Sequence, residues 1–438
     1  MDTVSYTASS DVKRTSLALR VLAAGAAGQF VEFYDFAVYG FSVVIIAHLF
    51  FPQSDPVASI SSAFAAYGVA FIARPLGGVI FGTLGDRIGR KAVLFITLLS
   101  IGAATALIGL LPTHSQIGIW APVLLLVCRL VQGFSAGAEA VGAPSFVLEH
   151  APVHRRAVWI GITIGMSAVP VVVAGVFILL LTHLMSTDSY NSWGWRIPFL
   201  VAAPLSFIGL YIRNKTEESH TFERAAAESK TKHVAPLSAS FRHNRQRMMQ
   251  VFFVVALNGL AYYVLVGYLV TYMQTVTRIS FQDALLSNAI GLLVVAIFLP
   301  LFGFVSDKVG RKPMLLTGAV LIALTSIPLF KLLDTGNGLA GAIGAQVVLA
   351  GCLTVYGAGA YTFFVEIFPT SVRFTGAAIA YNLAYAVFGG TAPFVGTYLV
   401  RVTGNAAAPG YYLAALAVVV FLVVLTVPET RGRDLNQH

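Results

Sequence analysis

The chain has 438 residues, of which 57% are hydrophobic and only 11% charged, and its mean hydropathy is +0.80. These proportions exclude a soluble multidomain protein and are typical of a polytopic membrane protein. The formal net charge of +9 does not indicate a nucleic-acid partner, because the basic residues lie in short loops between apolar segments. Cys128 and Cys352 lie inside apolar segments without metal-ligand spacing, so we expect no disulfide, metal or cofactor.

Charged residues and clusters of Pro, Gly and Asn divide the chain into twelve apolar segments. The first six cover roughly residues 20–47, 59–84, 92–112, 119–148, 157–184 and 195–212. The second six cover roughly residues 248–275, 284–305, 313–333, 339–365, 374–400 and 410–428. Several exceed the roughly 20 residues that a transmembrane helix needs, so we predict an all-α membrane protein with tilted spans.

The predicted organisation is two six-helix bundles joined by a linker. Residues 1–19 form an N-terminal tail, 20–212 the first bundle, 213–247 a hydrophilic linker, 248–428 the second bundle and 429–438 a C-terminal tail. A cytoplasmic N-terminus leaves only Arg196, Arg278, Lys331 and Arg401 of the loop cations outside. This asymmetry satisfies the positive-inside rule. We therefore expect both termini on the cytoplasmic side of the plasma (inner) membrane.

Two loop patterns recur in both halves. The sequence Gly-Asp-Arg-Ile-Gly-Arg-Lys at Gly85–Lys91 returns as Ser-Asp-Lys-Val-Gly-Arg-Lys at Ser306–Lys312, and the pattern Glu-x-x-Pro-x-x-x-Arg begins at Glu149 and again at Glu366. We interpret the first pattern as a tight cytoplasmic hairpin, since glycines permit a reversal. The repeats indicate a pseudo-symmetric transporter with its site near the midplane between the halves.

We expect the charges of these loops to form ion pairs that open and close during alternating access. Their alternative role is to set topology and to form surface pairs worth at most ~1 kcal/mol each. Asp86 and Arg90 are expected to pair with Glu149 and Arg156, and Asp307 and Arg311 with Glu366 and Arg373. The complete predicted gating set is Gly85, Asp86, Arg87, Gly89, Arg90, Lys91, Glu149, Arg156, Asp307, Gly310, Arg311, Lys312, Glu366 and Arg373.

These loops resemble those of the major facilitator superfamily, and the chain is most similar to its metabolite:proton symporters. The resemblance rests on Gly28–Phe36, Arg74–Gly78, Gln132–Glu139, Trp193–Phe199 and Pro428–Arg433, and it covers essentially the whole chain. It implies a twelve-helix fold and uptake of proline/betaine, α-ketoglutarate, citrate or shikimate. The first half looks most like proline/betaine symporters. Two departures from those symporters count against an osmolyte as the substrate. The chain has Arg129 where a lysine is expected, and it ends at His438 without the C-terminal coiled coil associated with osmosensing.

Ionisable residues within the spans mark functional positions because each costs about 2.5–3.5 kcal/mol to insert. Glu32 and Asp35 share one face of the first helix with Tyr39. Burial favours the protonated form of a carboxyl and a nearby arginine favours the ionised form, so such a pair can carry a proton. We expect Asp35 to be the carboxylate that couples protons, with Glu32 as the second candidate. By depth in the membrane, Asp35 should lie nearer to Arg129 than to Arg74. The alternative is a static set of ion pairs.

The predicted substrate-binding residues combine these charges with a polar wall in the second half. That half carries no ionisable residue deep in a span and instead carries tyrosines and asparagines. Such a wall can hydrogen-bond hydroxyl and carboxylate groups or enclose a quaternary ammonium; helix packing and interfacial aromatic belts are its alternative role. The predicted set is Tyr39, Arg74, Arg129, Gln132, Glu139, Asn258, Tyr262, Tyr263, Tyr356, Tyr381, Asn382 and Tyr385.

The sequence therefore predicts a proton-coupled importer of a small carboxylate-bearing metabolite, working as a monomer in the lipid bilayer. We rank organic acids above zwitterions such as proline and betaine, because Arg74 and Arg129 both suit carboxylates. A drug/proton antiporter is a further alternative, although the fifth helix lacks the Gly-Pro junction of such exporters. An enzyme or a receptor is disfavoured, since the chain shows no nucleophile, metal or phosphate-binding motif and no added soluble domain.

Overall fold

The computed structural model describes residues 30–88, 90–137, 147–148, 151–215, 237–334, 338–368 and 373–433. All regular elements in these ranges are helical, which confirms the predicted all-α class. Within the described ranges, eight helices are long and apolar enough to cross a membrane, two further pairs of helices pass the same criteria when each is taken as one bent span, and two apolar helices are shorter. They correspond in order to the twelve predicted spans.

We number these spans α1 to α12. The first half contains α1 (Phe30–Phe41 and Val43–Phe50), α2 (Pro56–Ile88), α3 (Arg90–Leu110), α4 (Trp120–Ala136), α5 (Arg156–Gly165 and Ala168–Leu184) and α6 (Thr187–Gly194 and Arg196–Lys215). The second half contains α7 (Leu237–Tyr263, Val264–Tyr268 and Leu269–Thr275), α8 (Phe281–Val309), α9 (Arg311–Asp334), α10 (Gly338–Glu366), α11 (Arg373–Ala384, Tyr385–Gly389 and Ala392–Thr403) and α12 (Ala408–Leu425).

The helices extend further into the connecting segments than the sequence analysis predicts. Helix α2 continues to Ile88 and α3 starts at Arg90, so most of the predicted Gly85–Lys91 hairpin is helical. In the second half the reversal takes the single residue Gly310, whose φ of +110° is accessible to glycine but strained for other residues. Helix α7 begins at Leu237, inside the predicted linker, because its polar first turns contain no glycine or proline to interrupt them.

Small residues bring the helices close together within and between the halves. Helix α2 packs on α4 in the first half, and α5 packs on α8 across the two halves. A Cβ atom added at Gly133 of α4 would lie 1.8 Å from the carbonyl oxygen of Ala70 in α2, and one at Gly303 of α8 would lie 2.5 Å from that of Ala157 in α5. Close backbone approach of this kind is how membrane helices pack without a hydrophobic driving force.

Spans α1, α7 and α11 depart from a straight helix near the middle of the bundle. Helix α1 bends by 65° between Phe41 and Val43. Helices α7 and α11 each contain a π-helical turn, at Val264–Tyr268 and Tyr385–Gly389. A π-turn removes regular backbone hydrogen bonds, and Asn288 of α8 satisfies one released carbonyl by donating from its amide to the oxygen of Leu265 at 2.7 Å.

Candidate functional site

The two carboxylates of α1 are buried and face different arginines. Glu32 is 3% exposed and Asp35 is 0% exposed. Glu32 forms an ion pair with Arg74 of α2, and Asp35 forms one with Arg129 of α4 at 3.3 Å. The predicted proximity of Asp35 to Arg129 is confirmed. Two separate charge pairs therefore lie on one side of the first helix.

Asp35 is enclosed by a dense hydrogen-bond network. Its carboxylate accepts from the hydroxyl of Thr105 at 2.8 Å, from the amide of Gln132 at 2.5 Å and from Arg129 at 3.3 Å. Arg129 also donates to the amide oxygen of Gln132 at 3.0 Å. Each acceptor oxygen of Asp35 thus has a partner. Thr105 is the member of this network that the sequence analysis does not identify, because a threonine within a span carries no charge signal.

Aromatic rings cover the Arg129 guanidinium. Its central carbon lies 4.4 Å from the ring centre of Tyr39, 5.0 Å from that of Phe36 and 5.3 Å from that of Tyr67. The hydroxyl of Tyr39 donates to the carbonyl of Ala63 at 3.0 Å. Tyr39 therefore supports Arg129 rather than facing an open space, and the cation–π contacts stabilise the buried charge.

The Glu32–Arg74 pair lies at the wall of a cavity between the halves. The cavity has a volume of about 30 Å³. The first half contributes α1, α2 and α5, and the second half contributes α7, α10 and α11. The lining residues are Glu32, Phe33, Arg74, Ile164, Ser167, Tyr262, Tyr263, Tyr361, Phe364, Tyr381 and Tyr385.

The second-half wall of this cavity is a cluster of packed tyrosines. The rings of Tyr381 and Tyr385 stack with centres 4.2 Å apart and planes 20° apart. Tyr263 meets Tyr385 edge-on at 5.9 Å. The amide of Asn258 donates to the hydroxyl of Tyr385 at 3.1 Å, which fixes that ring from behind. On this side the cavity is therefore lined mainly by tyrosine side chains.

The structure brings five of the predicted substrate-binding residues to the cavity and places the others elsewhere. The five are Arg74, Tyr262, Tyr263, Tyr381 and Tyr385, and Glu32 joins them. Six others do not line it. Tyr39, Arg129 and Gln132 belong to the Asp35 network. Asn258 donates to the hydroxyl of Tyr385, Tyr356 donates to the carbonyl of Val254, and Asn382 donates to the carbonyl of Ala378. Direct contact between these six residues and a ligand in this cavity therefore stays a prediction. Glu139 lies outside the described residues.

Five of the lining residues are absent from the predicted site residues. They are Phe33, Ile164, Ser167, Tyr361 and Phe364. Four of them carry no charge and resemble ordinary span residues, so no local signal distinguishes them. Tyr361 is one of several tyrosines in its half of the chain, and only the packing of α10 shows that it faces the cavity.

The repeated loops of the second half form a buried ion-pair network on the predicted cytoplasmic face. Arg311 donates to both oxygens of Glu366, at 3.0 Å each, and to Asp307 at 2.9 Å. Glu429 accepts from the backbone nitrogens of Arg311 at 2.9 Å and Lys312 at 3.0 Å, so it caps the start of α9. The expected association of Asp307, Arg311 and Glu366 is confirmed.

The same network joins the two halves. Asp307 accepts from the backbone nitrogens of Ala157 and Val158, at 3.0 Å each, at the beginning of α5. Arg156 lies 3.8 Å from Glu366 and donates to the carbonyl of Arg433 at 3.0 Å. Arg156 is thus found with Glu366 of the other half, because α5 packs against α8 and α10 at this face. The prediction that Arg156 associates with Asp86, Arg90 and Glu149 of its own half concerns side chains that the structure does not describe.

Several predicted gating positions lie outside what the structure describes. Gly89 and Glu149 lie outside the described ranges, and the side chains of Asp86, Arg87, Arg90, Lys91 and Arg373 are not described, nor are the surroundings of Gly85. Their roles stay predictions. Among the described residues, no group of three or more His, Cys, Asp or Glu side chains is arranged to hold a metal ion.

The halves also meet on the opposite face. Arg401 at the end of α11 forms a salt bridge with Asp55 before α2, at 2.5 Å, and these side chains are 47% and 38% exposed. Deeper, Phe64 of α2 meets Tyr268 of α7 with ring centres 6.1 Å apart. The two halves therefore contact each other on both sides of the cavity.

The chain matches two family profiles. Residues 25–296 match the Major Facilitator Superfamily, and residues 212–438 match the sugar (and other) transporter family. It is 36% identical to a proline/betaine transporter of Escherichia coli, covering 95% of this chain and 85% of that protein. It is 35% identical to a glycine betaine/proline/ectoine/pipecolic acid transporter of Dickeya dadantii, covering 95% and 84%.

Solved structures show the same fold. The chain superposes on the Escherichia coli xylose transporter XylE with a TM-score of 0.76 at 19% identity, covering 96% of this chain and 100% of that one. A crystal structure of a D-xylose-proton symporter gives a TM-score of 0.76 at 20% identity, covering 95% and 99%. With its apolar helices and two contacting halves, the chain belongs to the Major Facilitator Superfamily, and it is a multi-pass membrane transporter of a small molecule rather than an enzyme.

Proposed function

We propose that this transporter takes up a small zwitterion of the proline or betaine type together with protons. The observation that carries the proposal is the composition of the cavity, in which one arginine and one glutamate face five tyrosines. Arg74 offers a planar fork to a carboxylate. The tyrosine faces attract a cationic nitrogen, including a quaternary ammonium that has no hydrogen to donate.

The same cavity argues against the organic acids that the sequence analysis ranks first. Among the described lining residues Arg74 is the one cation, and Glu32 neutralises it. The second arginine, Arg129, is engaged with Asp35 and covered by rings. A di- or tricarboxylate brings more negative charge than one paired arginine balances, whereas a zwitterion brings none in total. The names of the two similar transporters also favour a zwitterion.

The proposed mechanism is alternating access of a monomer in the cell membrane, with both termini cytoplasmic. The cavity is lined by helices of both halves, so we expect substrate entry to require the halves to separate on one face. Opening of the Asp307 and Arg156 contacts exposes the cavity to one side, and opening of the Asp55–Arg401 contact exposes it to the other. Asp35 and Glu32 are the carboxylates available to carry the coupled proton.

The test is transport by the purified protein in liposomes. Radiolabelled proline, betaine, citrate and shikimate are offered one at a time while the internal pH is recorded. We expect uptake of proline or betaine with acidification of the interior, and little uptake of the organic acids. We expect Asp35→Asn to lose coupled uptake, because it removes a buried carboxylate. Asp188→Asn, at an exposed position, should keep it.

Three other outcomes contradict the proposal. Acidification with citrate or shikimate alone restores the organic-acid hypothesis. Substrate-dependent movement of protons out of the liposome on drug addition indicates an antiporter. Tracer exchange of proline without any change of internal pH removes proton coupling.

A further inference from the structure

Glu32 and Asp35 occupy environments that suit different tasks. Asp35 has partners on both oxygens and does not line the cavity. Glu32 lines the cavity, and the contact that the structure shows for it is with Arg74, which lines the cavity as well. A ligand entering the cavity therefore meets the Glu32–Arg74 pair and not the Asp35–Arg129 pair.

We propose that the substrate carboxylate replaces Glu32 as the partner of Arg74, and that the displaced Glu32 takes up the cotransported proton. This exchange of ion-pair partners rests on the proposed zwitterion symport and gives it a physical coupling step. It assigns proton uptake to Glu32, and it leaves Asp35 as a positioning residue that holds Arg129 and the α1–α4 contact.

Arg74 is held in place independently of Glu32. The central carbon of its guanidinium lies 5.3 Å from the ring centre of Phe36 and 5.1 Å from that of Phe71, and Tyr263 interacts with it from α7. Its Nε atom has no hydrogen-bond partner among the described residues. When Glu32 leaves, the guanidinium thus stays oriented and has a free donor for a carboxylate, whose two oxygens suit a guanidinium fork.

The balance of charge links the two events. In the empty site, the positive Arg74 faces the negative Glu32. In the loaded site, Arg74 faces the substrate carboxylate, and an ionised Glu32 is left buried without its cation, which is strongly unfavourable. One proton from the aqueous side that admits the substrate neutralises Glu32, and it leaves when Glu32 pairs with Arg74 again on the other side. One proton therefore accompanies each zwitterion.

Among the described residues that line the cavity with Glu32, no other group readily takes this role. The titratable side chains that face it from α7, α10 and α11 are the phenols of Tyr262, Tyr263, Tyr361, Tyr381 and Tyr385. Phenols are uncharged at neutral pH, and Ser167 faces the cavity from α5. The tyrosine faces serve the cationic end of the substrate, which keeps that end on the second-half wall while its carboxylate lies at Arg74.

The first test measures protons taken up on binding, with the wild-type protein in weakly buffered detergent solution and a pH indicator. Betaine is added across pH 6 to 8, and tracer binding gives the amount bound. We expect up to one proton taken up per betaine bound. Choline, which has the quaternary ammonium without the carboxylate, is the matched control and should take up none. Betaine binding without proton uptake at any pH overturns the proposal.

The second test uses Glu32→Gln in liposomes beside Asp35→Asn. With Arg74 released from Glu32, betaine exchange across the membrane should persist in Glu32→Gln and lose its pH dependence. Accumulation driven by a pH gradient should be lost. In the wild type, betaine binding takes up a proton, so the apparent affinity for betaine should fall by up to about tenfold for each unit by which the pH rises.

The two levels of failure are distinguishable. If the wild type does not accumulate zwitterions with protons, the proposed function is wrong. If it does, and Glu32→Gln still accumulates betaine down a pH gradient, only the exchange of partners is wrong. Loss of proton uptake on binding in Asp35→Asn but not in Glu32→Gln also overturns the exchange and moves the proton to Asp35.

Discussion

The substitution Asp307→Asn should shift the protein towards the state that is open at the predicted cytoplasmic face. Asp307 belongs to α8, yet its carboxylate accepts from two backbone nitrogens of α5, at 3.0 Å each. These bonds form only when the halves are closed at this face. Its contact with Arg311 lies within one half, so weakening that contact affects the closed and open states equally.

The structure gives the size of this shift. Asparagine retains one acceptor oxygen, so the variant loses about one charge-assisted hydrogen bond, worth about 1.5–3 kcal/mol. It also loses the attraction of a negative charge to the positive end of α5, about 0.3–1 kcal/mol. A total of about 2–4 kcal/mol corresponds to a roughly 30- to 700-fold change in the equilibrium between the two states.

Distances between spin labels measure the shift. Val153 before α5 and Val309 at the end of α8 are 49% and 50% exposed, so both positions accept a label after the buried Cys128 and Cys352 are replaced. We expect a longer distance to dominate in Asp307→Asn, and no change in Asp188→Asn. Equal distance distributions in wild type and Asp307→Asn refute the assignment of the α5–α8 bonds to the closed state.

Two further predictions follow from packing and from surface charge. Gly133→Ala should destabilise the protein by about 1–3 kcal/mol, because the added Cβ would lie 1.8 Å from a backbone carbonyl oxygen of α2. Gly351→Ala is the control and should not destabilise it, since nothing lies within 4 Å of the added Cβ. Thermal unfolding in detergent compares the two variants, and equal melting temperatures contradict the close approach of the helices. Breaking the half-exposed Asp55–Arg401 pair with Arg401→Asp should change transport rates by less than about tenfold, since exposed pairs contribute at most ~1 kcal/mol. The reversed pair, Asp55→Arg with Arg401→Asp, should restore the wild-type rate, and a larger, unrestored loss points to another role for these residues.

The number and order of the spans could be predicted from the sequence because the bilayer imposes a length on each apolar segment. The pairing of Asp35 with Arg129 was also predictable, since charges within spans are few and their depths follow from their positions. The end of α2 and the start of α7 were not. Helix α2 continues through Gly85 to Ile88, although a glycine favours a break, and α7 begins in polar residues that contain no glycine or proline to interrupt the helix.

The cavity wall was only partly predictable. Tyr381 and Tyr385 are one helical turn apart and so share a face, and both line the cavity. Asn258 and Tyr262 have the same spacing, yet only Tyr262 lines it while Asn258 lies behind Tyr385. Which side of a buried helix faces empty space depends on the tilt and approach of its neighbours, and the spacing of residues along one helix does not contain that information. The pairing of Arg156 with Glu366 has the same origin, since it depends on α5 meeting the other half.

The π-helical turn of α7 separates two tasks along a single helix. One extra residue in a turn rotates everything beyond it by about 100° relative to a regular helix. Tyr262 and Tyr263, before the turn, line the cavity, while Tyr268, at its end, packs against Phe64 of the first half. We therefore expect that a substitution at Tyr262 or Tyr263, before the turn, leaves the orientation of the helix after the turn unchanged. The cavity lining and the contact between the halves can consequently change separately, although one continuous chain segment carries both.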